Sequence, residues 1–148
     1  LKQRLNENIL VFFTGVTRQS QIILEEQKTN IHNHLDILRK LKVLTYQAYH
    51  ELCEGNLDAL GYLLHESWLL KRQLASGISN DVFDEWYQAA RDAGALGGKI
   101  TGAGGGGFLL IYCPYHRREA VRAALAHLRE LPVRLDRDGS KVIFNYSS

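Results

Sequence analysis

The chemically most suggestive feature of the sequence is a run of glycines, with five glycines among the six residues from Gly102 to Gly107. Its spacing matches G-x-G-x-x-G, the dinucleotide-binding pattern, in which the loop joins a strand to a helix whose N-terminus holds the pyrophosphate. In this chain the run leads directly into the strand-like residues 108–112 (FLLIY), so the context argues against a dinucleotide site. It is no P-loop either, because no Gly-Lys-Ser/Thr follows the glycines.

What remains is a glycine loop between two neighbouring strands. Glycine loses more conformational freedom on folding than any other residue, and an ordinary hairpin needs only one or two glycines. The surplus indicates that the backbone approaches something closely, and successive N–H groups in such a loop can bind an anion. Thr101 would add a hydroxyl and Lys99 a positive charge. Two alternatives stay open, a flexible hairpin tip and a glycine-packed strand crossing.

A second candidate is the segment 14–18 (TGVTR), which places two hydroxyls and a basic residue after a strand-like run and at a predicted helix start. Such a corner can face an anion. A plain helix cap at Thr17 accounts for the same residues, and the chemistry of Thr17 and Arg18 alone favours that cap. Lys71 and Arg72 form a basic pair of the kind usually found on a solvated helix surface.

The histidines predict neither a metal site nor a catalytic triad. His32 and His34 make an H-x-H pair, but two histidines without a third ligand do not indicate zinc. His65 and Glu66 begin like the zincin pattern H-E-x-x-H, yet Leu69 stands where the second histidine belongs. His65 is therefore interpreted as either a helix-surface residue or a contact to substrate.

Apolar periodicity, glycines and prolines divide the chain into the elements that must position these residues. The predicted strands cover 9–13, 99–101, 108–112, 133–135 and 142–144, the last two flanking the turn signal Asp138-Gly139. The predicted helices cover 17–29, 35–55, 56–77, 80–94 and 117–130. With the first three helices set aside, the order is βαββαβ, that of a ferredoxin-like sandwich. We predict one α+β domain over residues 1–148, with a helical insertion after its first strand.

Composition limits the class of protein. Of the 148 residues, 45% are hydrophobic and 23% are charged, and the net charge is +2. These values are ordinary for a globular domain and exclude a disordered tail, a collagen-like repeat and a disulfide scaffold. So small a net charge indicates neither a nucleic-acid nor a membrane partner. Cys53 and Cys113 are expected to be small buried hydrophobes.

Two further expectations concern the context of the chain. No signal peptide and no run of about 18 apolar residues is recognisable, so a cytoplasmic location is the default expectation. The chain begins at Leu1 and contains no Met, from which we expect a piece of a longer polypeptide. An ordinary chain trimmed at its start is the alternative.

Residues 99–110 (KITGAGGGGFLL) closely resemble the third conserved motif of the GHMP kinases, a superfamily named after galacto-, homoserine, mevalonate and phosphomevalonate kinases. The whole chain is similar to the C-terminal domain of that family. The resemblance implies a ferredoxin-like fold with added helices, in agreement with the pattern above.

A narrower resemblance is to the sugar kinases of this family that act on D-glycero-D-manno-heptose 7-phosphate. It is carried by residues 12–18 (FFTGVTR), 64–72 (LHESWLLKR), 77–80 (GISN) and 94–99 (GALGGK). The resemblance implies transfer of the ATP γ-phosphoryl group to a sugar hydroxyl with Mg²⁺. It also implies that the glycine loop lies near the phosphoryl group or the substrate, and it suggests residues that contact the sugar phosphate. The loop comprises Thr101, Gly102, Ala103, Gly104, Gly105, Gly106 and Gly107, and the substrate candidates are Thr17, Arg18, His65, Lys71 and Arg72.

The family binds ATP mainly through an N-terminal domain with the phosphate loop P-x-x-x-G-L-x-S-S, which this sequence does not contain. The resemblance therefore implies that ATP, Mg²⁺ and the catalytic residue belong to that other domain, which would be the partner of this one. A fragment of residues 1–148 is accordingly expected to be inactive. A stand-alone regulatory or ligand-binding module with the same fold is the alternative, because ferredoxin-like sandwiches host many functions.

Overall fold

The computed structural model describes residues 1–17, 20–136, 139–142 and 144, which form a sheet flanked by helices. In chain order the elements are α1 (Lys2–Asn8), β1 (Ile9–Phe13), α2 (Ser20–Thr29), a 3₁₀ turn (Ile31–His34), α3 (Leu35–Glu54), α4 (Leu57–Lys71), α5 (Asp81–Asp92), β2 (Gly97–Ile100), β3 (Phe108–Tyr112), a second 3₁₀ turn (Tyr115–Arg117), α6 (Arg118–Ala124) and β4 (Arg129–Glu130). No described helix is long and apolar enough to cross a membrane.

The four strands lie in the order β2-β3-β1-β4 and every neighbouring pair is antiparallel. β1 and β3 pair along their whole length, from Ile9 opposite Tyr112 to Phe13 opposite Phe108. This order is that of a ferredoxin-like sheet. β1 and β2 run parallel with β3 between them, and β3 and β4 run parallel with β1 between them. The predicted α+β sandwich with a helical insertion after the first strand is confirmed.

The core lies on the sheet face that carries Leu10 and Phe12 of β1 and Leu109 and Ile111 of β3. Helices α5 and α6 cover this face, and the side chains they contribute are also buried: Phe83, Tyr87, Ala90 and Val121. Because successive side chains of a strand point to opposite faces, Ile9, Leu110 and Tyr112 lie on the other side. There they line an apolar cavity of about 300 Å³ together with residues of α3 and α4.

Two predicted helix ends are confirmed by their capping geometry. Gly55 ends α3 in the left-handed conformation (φ 75°), and its N–H donates to the carbonyls of the preceding turn. Asn80 begins α5, where its side chain accepts a hydrogen bond of 2.9 Å from the N–H of Phe83. Helix α2 is described from Ser20 onward. The cap predicted at Thr17 depends on residues 18 and 19, which lie outside the described residues.

Helix α4 ends at Lys71, so the predicted continuation to Gly77 is wrong. The N–H groups of Gln73 and Leu74 bond to carbonyls three residues back, at 3.1 Å each, which tightens the chain out of the α-helix. This turn buries Leu74, Ala75 and Ile78 in the core. Burial of these three side chains explains why the helix stops where it does.

The predicted C-terminal elements are also corrected. Helix α6 stops at Ala124, and Arg129–Glu130, predicted as helix, forms the edge strand β4 beside β1. Arg122 holds Glu130 with two hydrogen bonds of 2.8 and 2.9 Å. The strands predicted near the C-terminus are not formed at residues 133–135, Val142 or Phe144. The edge of β1 that they would need is occupied by β4. Asp138 and Ile143 of the predicted hairpin lie outside the described residues.

The two cysteines differ in environment. Cys113 is buried as predicted, next to β3 and within the core. Cys53 is exposed, so its predicted burial is wrong. It lies on the outward face of α3, which packs against α4 with the opposite face of its helix. The leucine periodicity of α3 was the signal that could have shown this, because Leu38, Leu41 and Leu44 lie on the covered face and Cys53 does not.

Candidate glycine-loop site

The loop between β2 and β3 has a backbone that favours glycine throughout. All five of its glycines have positive φ angles: Gly102 at 68°, Gly104 at 106°, Gly105 at 71°, Gly106 at 154° and Gly107 at 86°. A Cβ atom on Gly104 would lie 2.8 Å from the backbone of Ile78, and one on Gly106 would lie 2.5 Å from the Val16 carbonyl oxygen. Residues 104–106 are buried. The loop is thus a packed crossing and not a flexible tip.

Backbone hydrogen bonds tie this loop to two other segments. The Gly105 N–H donates to the Ile78 carbonyl at 2.8 Å, and the Gly107 N–H donates to the Val16 carbonyl at 2.7 Å. Thr14, which is 4% exposed, donates to the Gly107 carbonyl from both its N–H and its hydroxyl, at 3.0 Å each. The end of β1 and the segment before α5 therefore fix the loop from two sides.

Four amides of the loop are left for another acceptor. Among the residues that the structure describes, the N–H groups of Gly102, Ala103, Gly104 and Gly106 donate to no protein oxygen. Gly104 and Gly106 are buried residues, whereas Ala103 is half-buried and Gly102 is exposed. Buried N–H groups are nearly always paired with protein, water or ligand. The structure is therefore compatible with the predicted anion-binding loop. The donors would be these four N–H groups, because those of Gly105 and Gly107 already bond to protein carbonyls.

Lys71 brings a positive charge to the loop from the C-terminal end of α4. Its ammonium donates a hydrogen bond of 2.5 Å to the Gly102 carbonyl. Burial, and after it the charge of the neighbouring Lys99, lower the pKa of Lys71 from 10.5 to about 8. A lowered lysine pKa next to unpaired amides marks a place where an anion would be stabilised.

Arg72 points to α5 instead. Its guanidinium forms an ion pair with Asp84, and the Ser79 hydroxyl donates to the other oxygen of the same carboxylate at 2.6 Å. The side chains of Arg72 and Asp84 are each 32% exposed. Both line an open polar groove together with Ser79 and Asn80. Arg72 therefore keeps an accessible edge while its orientation is fixed.

His65 also contacts α5. Its Nδ1 and the Tyr87 hydroxyl share a hydrogen bond of 2.6 Å, and the two rings lie nearly parallel with centroids 5.8 Å apart. Burial lowers the pKa of His65, and the charge of Arg91 lowers it further. Burial raises the pKa of Tyr87 to about 12, so its hydroxyl keeps its proton at neutral pH. This contact explains His65 by packing between α4 and α5.

The comparisons with known proteins agree with this geometry. Residues 48–130, just over half of the chain, match the family model for the C-terminal part of the GHMP kinases. The chain belongs to the GHMP kinase C-terminal family. The match covers α4, α5, the glycine loop and the strands on either side of it, which are the elements of the site described above.

Individual relatives support the same assignment of the GHMP domain. The chain is 28% identical over 114 residues to D-glycero-alpha-D-manno-heptose 7-phosphate kinase of Campylobacter jejuni, covering 76% of this chain and 34% of the relative. It is 38% identical over 78 residues to mevalonate kinase of Methanothermobacter thermautotrophicus, covering 53% of this chain and 25% of the relative. The GHMP domain thus spans about a third or less of the length of these relatives.

The fold is similar to that of a solved mevalonate kinase. The structure of the L. major enzyme in complex with R-mevalonate aligns with a TM-score of 0.71 and 24% identity, covering 80% of this chain and 37% of that one. At this level of identity the similarity establishes the fold of the GHMP domain. Its substrate has to be argued from the site residues.

The substrate candidates of the GHMP domain do not form one cluster. Lys71 contacts the glycine loop, whereas His65 and Arg72 are turned toward α5. Thr17 is exposed beside Val16, whose carbonyl accepts from the loop, and Arg18 lies outside the described residues. Their roles toward a substrate stay predictions. Thr14 was predicted as one of the two hydroxyls of the segment 14–18, whereas the contacts of Ile78 and Asp84 were not predicted from the sequence.

We expect the stability of the GHMP domain to fall on mild acidification because of His65. A lowered pKa means that the folded state binds fewer protons than the unfolded state, so stability is lost as pH falls through the ordinary value of 6.5. His65→Gln should flatten the decrease of Tm between about pH 7.5 and 5.5. His50→Gln, on the exposed side of α3, should leave it unchanged. An equal slope in wild type and His65→Gln would contradict the assignment.

Proposed function

We propose that this chain is the C-terminal domain of an ATP-dependent sugar kinase, which transfers the γ-phosphoryl group of ATP to a sugar hydroxyl. The observation that carries the proposal is the packed glycine loop of the family, with four unpaired amides and the ammonium of Lys71 at one end. Phosphoryl transfer needs positioning and charge stabilisation more than covalent chemistry from the protein. Fixed N–H donors and a lysine supply both.

The proposed roles follow from where the structure places each residue. Residues 101–107 would lie against the transferring phosphoryl group or the acceptor sugar. Arg72 has an accessible guanidinium in a polar groove, and an arginine suits bidentate contact with a phosphate. Thr17, Arg18 and His65 remain candidates for the sugar itself. No residue of this chain is assigned as the catalytic acid or base.

ATP and Mg²⁺ are proposed to bind mainly to the N-terminal domain, which would also be the partner of this one. Among the described residues, no group of three or more His, Cys, Asp or Glu side chains could hold a metal ion. The carboxylate of Asp84 is already paired with Arg72 and Ser79. We therefore assign the Mg²⁺ that accompanies ATP to no side chain of this chain. Separately, we propose that the enzyme is cytoplasmic.

The proposed acceptor is a heptose 7-phosphate. Support comes from the Campylobacter heptose 7-phosphate kinase, whose alignment covers 76% of the chain, whereas the mevalonate kinase alignment covers 53%. The accessible guanidinium of Arg72 also suits an acceptor that already carries a phosphate. A mevalonate-like carboxylate would pair with the same guanidinium, so mevalonate is the second candidate acceptor.

The test is a kinase assay on the complete polypeptide that the gene encodes. ADP release should be fastest with D-glycero-D-manno-heptose 7-phosphate, slower with galactose and fucose, and slowest with mevalonate. A preference for mevalonate would replace the acceptor and keep the kinase. No turnover with any of these acceptors, in a protein shown to be folded, would favour a regulatory or ligand-binding module.

A further inference from the structure

Lys71 and Arg72 are neighbours in sequence, but only Lys71 contacts the glycine loop. Its ammonium donates to the carbonyl of Gly102, the first glycine of the loop. All described peptide bonds are trans, so the N–H of a peptide points away from its carbonyl. With the Gly102 carbonyl turned to Lys71, the N–H of Ala103, which belongs to the same peptide, must point to the opposite side.

The Ala103 N–H is one of the four unpaired donors of the loop. No acceptor for it exists among residues 1–17, 20–136, 139–142 and 144. Gly102 has a φ angle of 68°, a conformation that glycine leaves easily, and a Cβ there would meet nothing within 4 Å. Packing therefore does not fix this peptide in the way that it fixes Gly104 and Gly106. The hydrogen bond from Lys71 is the contact that sets its orientation.

Lys71 is itself well positioned to hold the peptide. It is the last residue of α4, and Trp68, one turn earlier, is 1% exposed in the core. A cation is also favoured at the C-terminal end of a helix, where the last carbonyls are unpaired. One charged hydrogen bond therefore joins the end of α4 to a peptide unit that has no other packing contact at Gly102.

We propose that Lys71 is a positioning residue of the transfer site, which holds the Gly102 carbonyl so that the Ala103 N–H faces the phosphoryl group. This role rests on the kinase function proposed above. It differs from that of a lysine that binds the substrate directly. Removing the ammonium would misorient an N–H donor while leaving the sugar contacts in place.

The charges around Lys71 define how it should titrate. Lys99 of β2 repels its ammonium, and the charge of Arg72, the residue that follows α4, is neutralised by its pairing with Asp84 of α5. With a pKa of about 8, Lys71 loses its proton as pH rises through that value, and its hydrogen bond to the carbonyl weakens. An arginine at this position would stay charged throughout.

The first experiment compares Lys71→Met, Lys71→Arg and the exposed control Lys40→Met in the complete enzyme, each at pH 6.5 to 9.5. We expect Lys71→Met to lower kcat about 10- to 100-fold, with KM for the sugar phosphate changed less than threefold. The wild-type kcat should decline above about pH 8, and Lys71→Arg should restore most of the activity and remove that decline. A normal kcat in Lys71→Met, or a change confined to KM, would overturn the positioning role.

A second measurement does not depend on turnover. In the complete protein labelled with ¹⁵N-alanine, the Ala103 amide signal, identified through Ala103→Gly, should shift with an inflection near pH 8. The shift should be absent in both Lys71→Met and Lys71→Arg. A wild-type signal without this inflection would overturn the Lys71 contact even if the enzyme is active. If the inflection is present and no acceptor is phosphorylated, the kinase function fails and the contact stands.

Discussion

Gly106→Ala should lower kcat of the complete enzyme by about 10²–10³-fold, the loss typical of removing one aligned N–H donor from a transition-state site. The added Cβ would lie 2.5 Å from the Val16 carbonyl oxygen, which is backbone and cannot rotate away. The same carbonyl accepts the Gly107 N–H at 2.7 Å, so relieving the clash displaces that hydrogen bond. A displacement of about 1 Å at a reacting centre is enough for losses of this size.

Gly139→Ala is the matched control, because Gly139 also has a positive φ, an added Cβ would meet nothing within 4 Å, and the residue lies outside the glycine loop. It should show only conformational strain of about 1–2 kcal/mol and a kcat within about fivefold of wild type. Since Gly106 is buried, Tm of Gly106→Ala should fall as well, and kcat must be expressed per folded molecule. Equal losses of kcat per folded molecule in the two variants would show that backbone strain at positive φ, and not the clash with the Val16 carbonyl, causes the loss.

The parts of the fold that the sequence predicted are those set by local pattern. The apolar runs of β1 and β3 were predicted with the bounds that the structure has, and Gly55 and Asn80 were recognised as helix ends. β4 could not be predicted in this way. Arg129 and Glu130 have no strand character of their own, and they form a strand because the edge of β1 is open and Arg122 holds Glu130.

The features of the site also divide into those that the local sequence pattern predicted and those that depend on tertiary packing. Five glycines in six positions predicted that the loop backbone approaches something closely, and the structure places the backbone of Ile78 and Val16 there. The separate roles of Lys71 and Arg72 could not be predicted. Adjacent residues diverge by about 100° around a helix, and which one meets the loop depends on how α4 packs against β2 and α5. The same packing turns His65 toward Tyr87.

Trp68→Ala should destabilise the chain by about 3–5 kcal/mol, the usual range for truncating a buried tryptophan. Trp68 is 1% exposed and packs against Tyr87 with ring centroids 6.4 Å apart, so it joins α4 to α5. Its truncation leaves a cavity one turn before Lys71. In the complete enzyme we therefore also expect a lower kcat, because the helix end that holds the glycine loop loses its support. Urea unfolding of the 148-residue chain, followed by far-UV circular dichroism, measures the first effect.

Trp68→Phe separates the loss of an aromatic ring from the loss of the indole N–H. The Trp68 Nε1 is buried without an acceptor among the described residues, so phenylalanine removes an unpaired donor while it keeps an aromatic ring in the core. It should destabilise the chain by less than half as much as alanine does. Tyr62→Ala on the same helix removes a ring that is 53% exposed and should change the unfolding free energy by about 0.5 kcal/mol or less. Equal effects of Trp68→Ala and Tyr62→Ala would mean that α4 is not anchored through Trp68, and the support of the glycine loop by this helix would have to be abandoned.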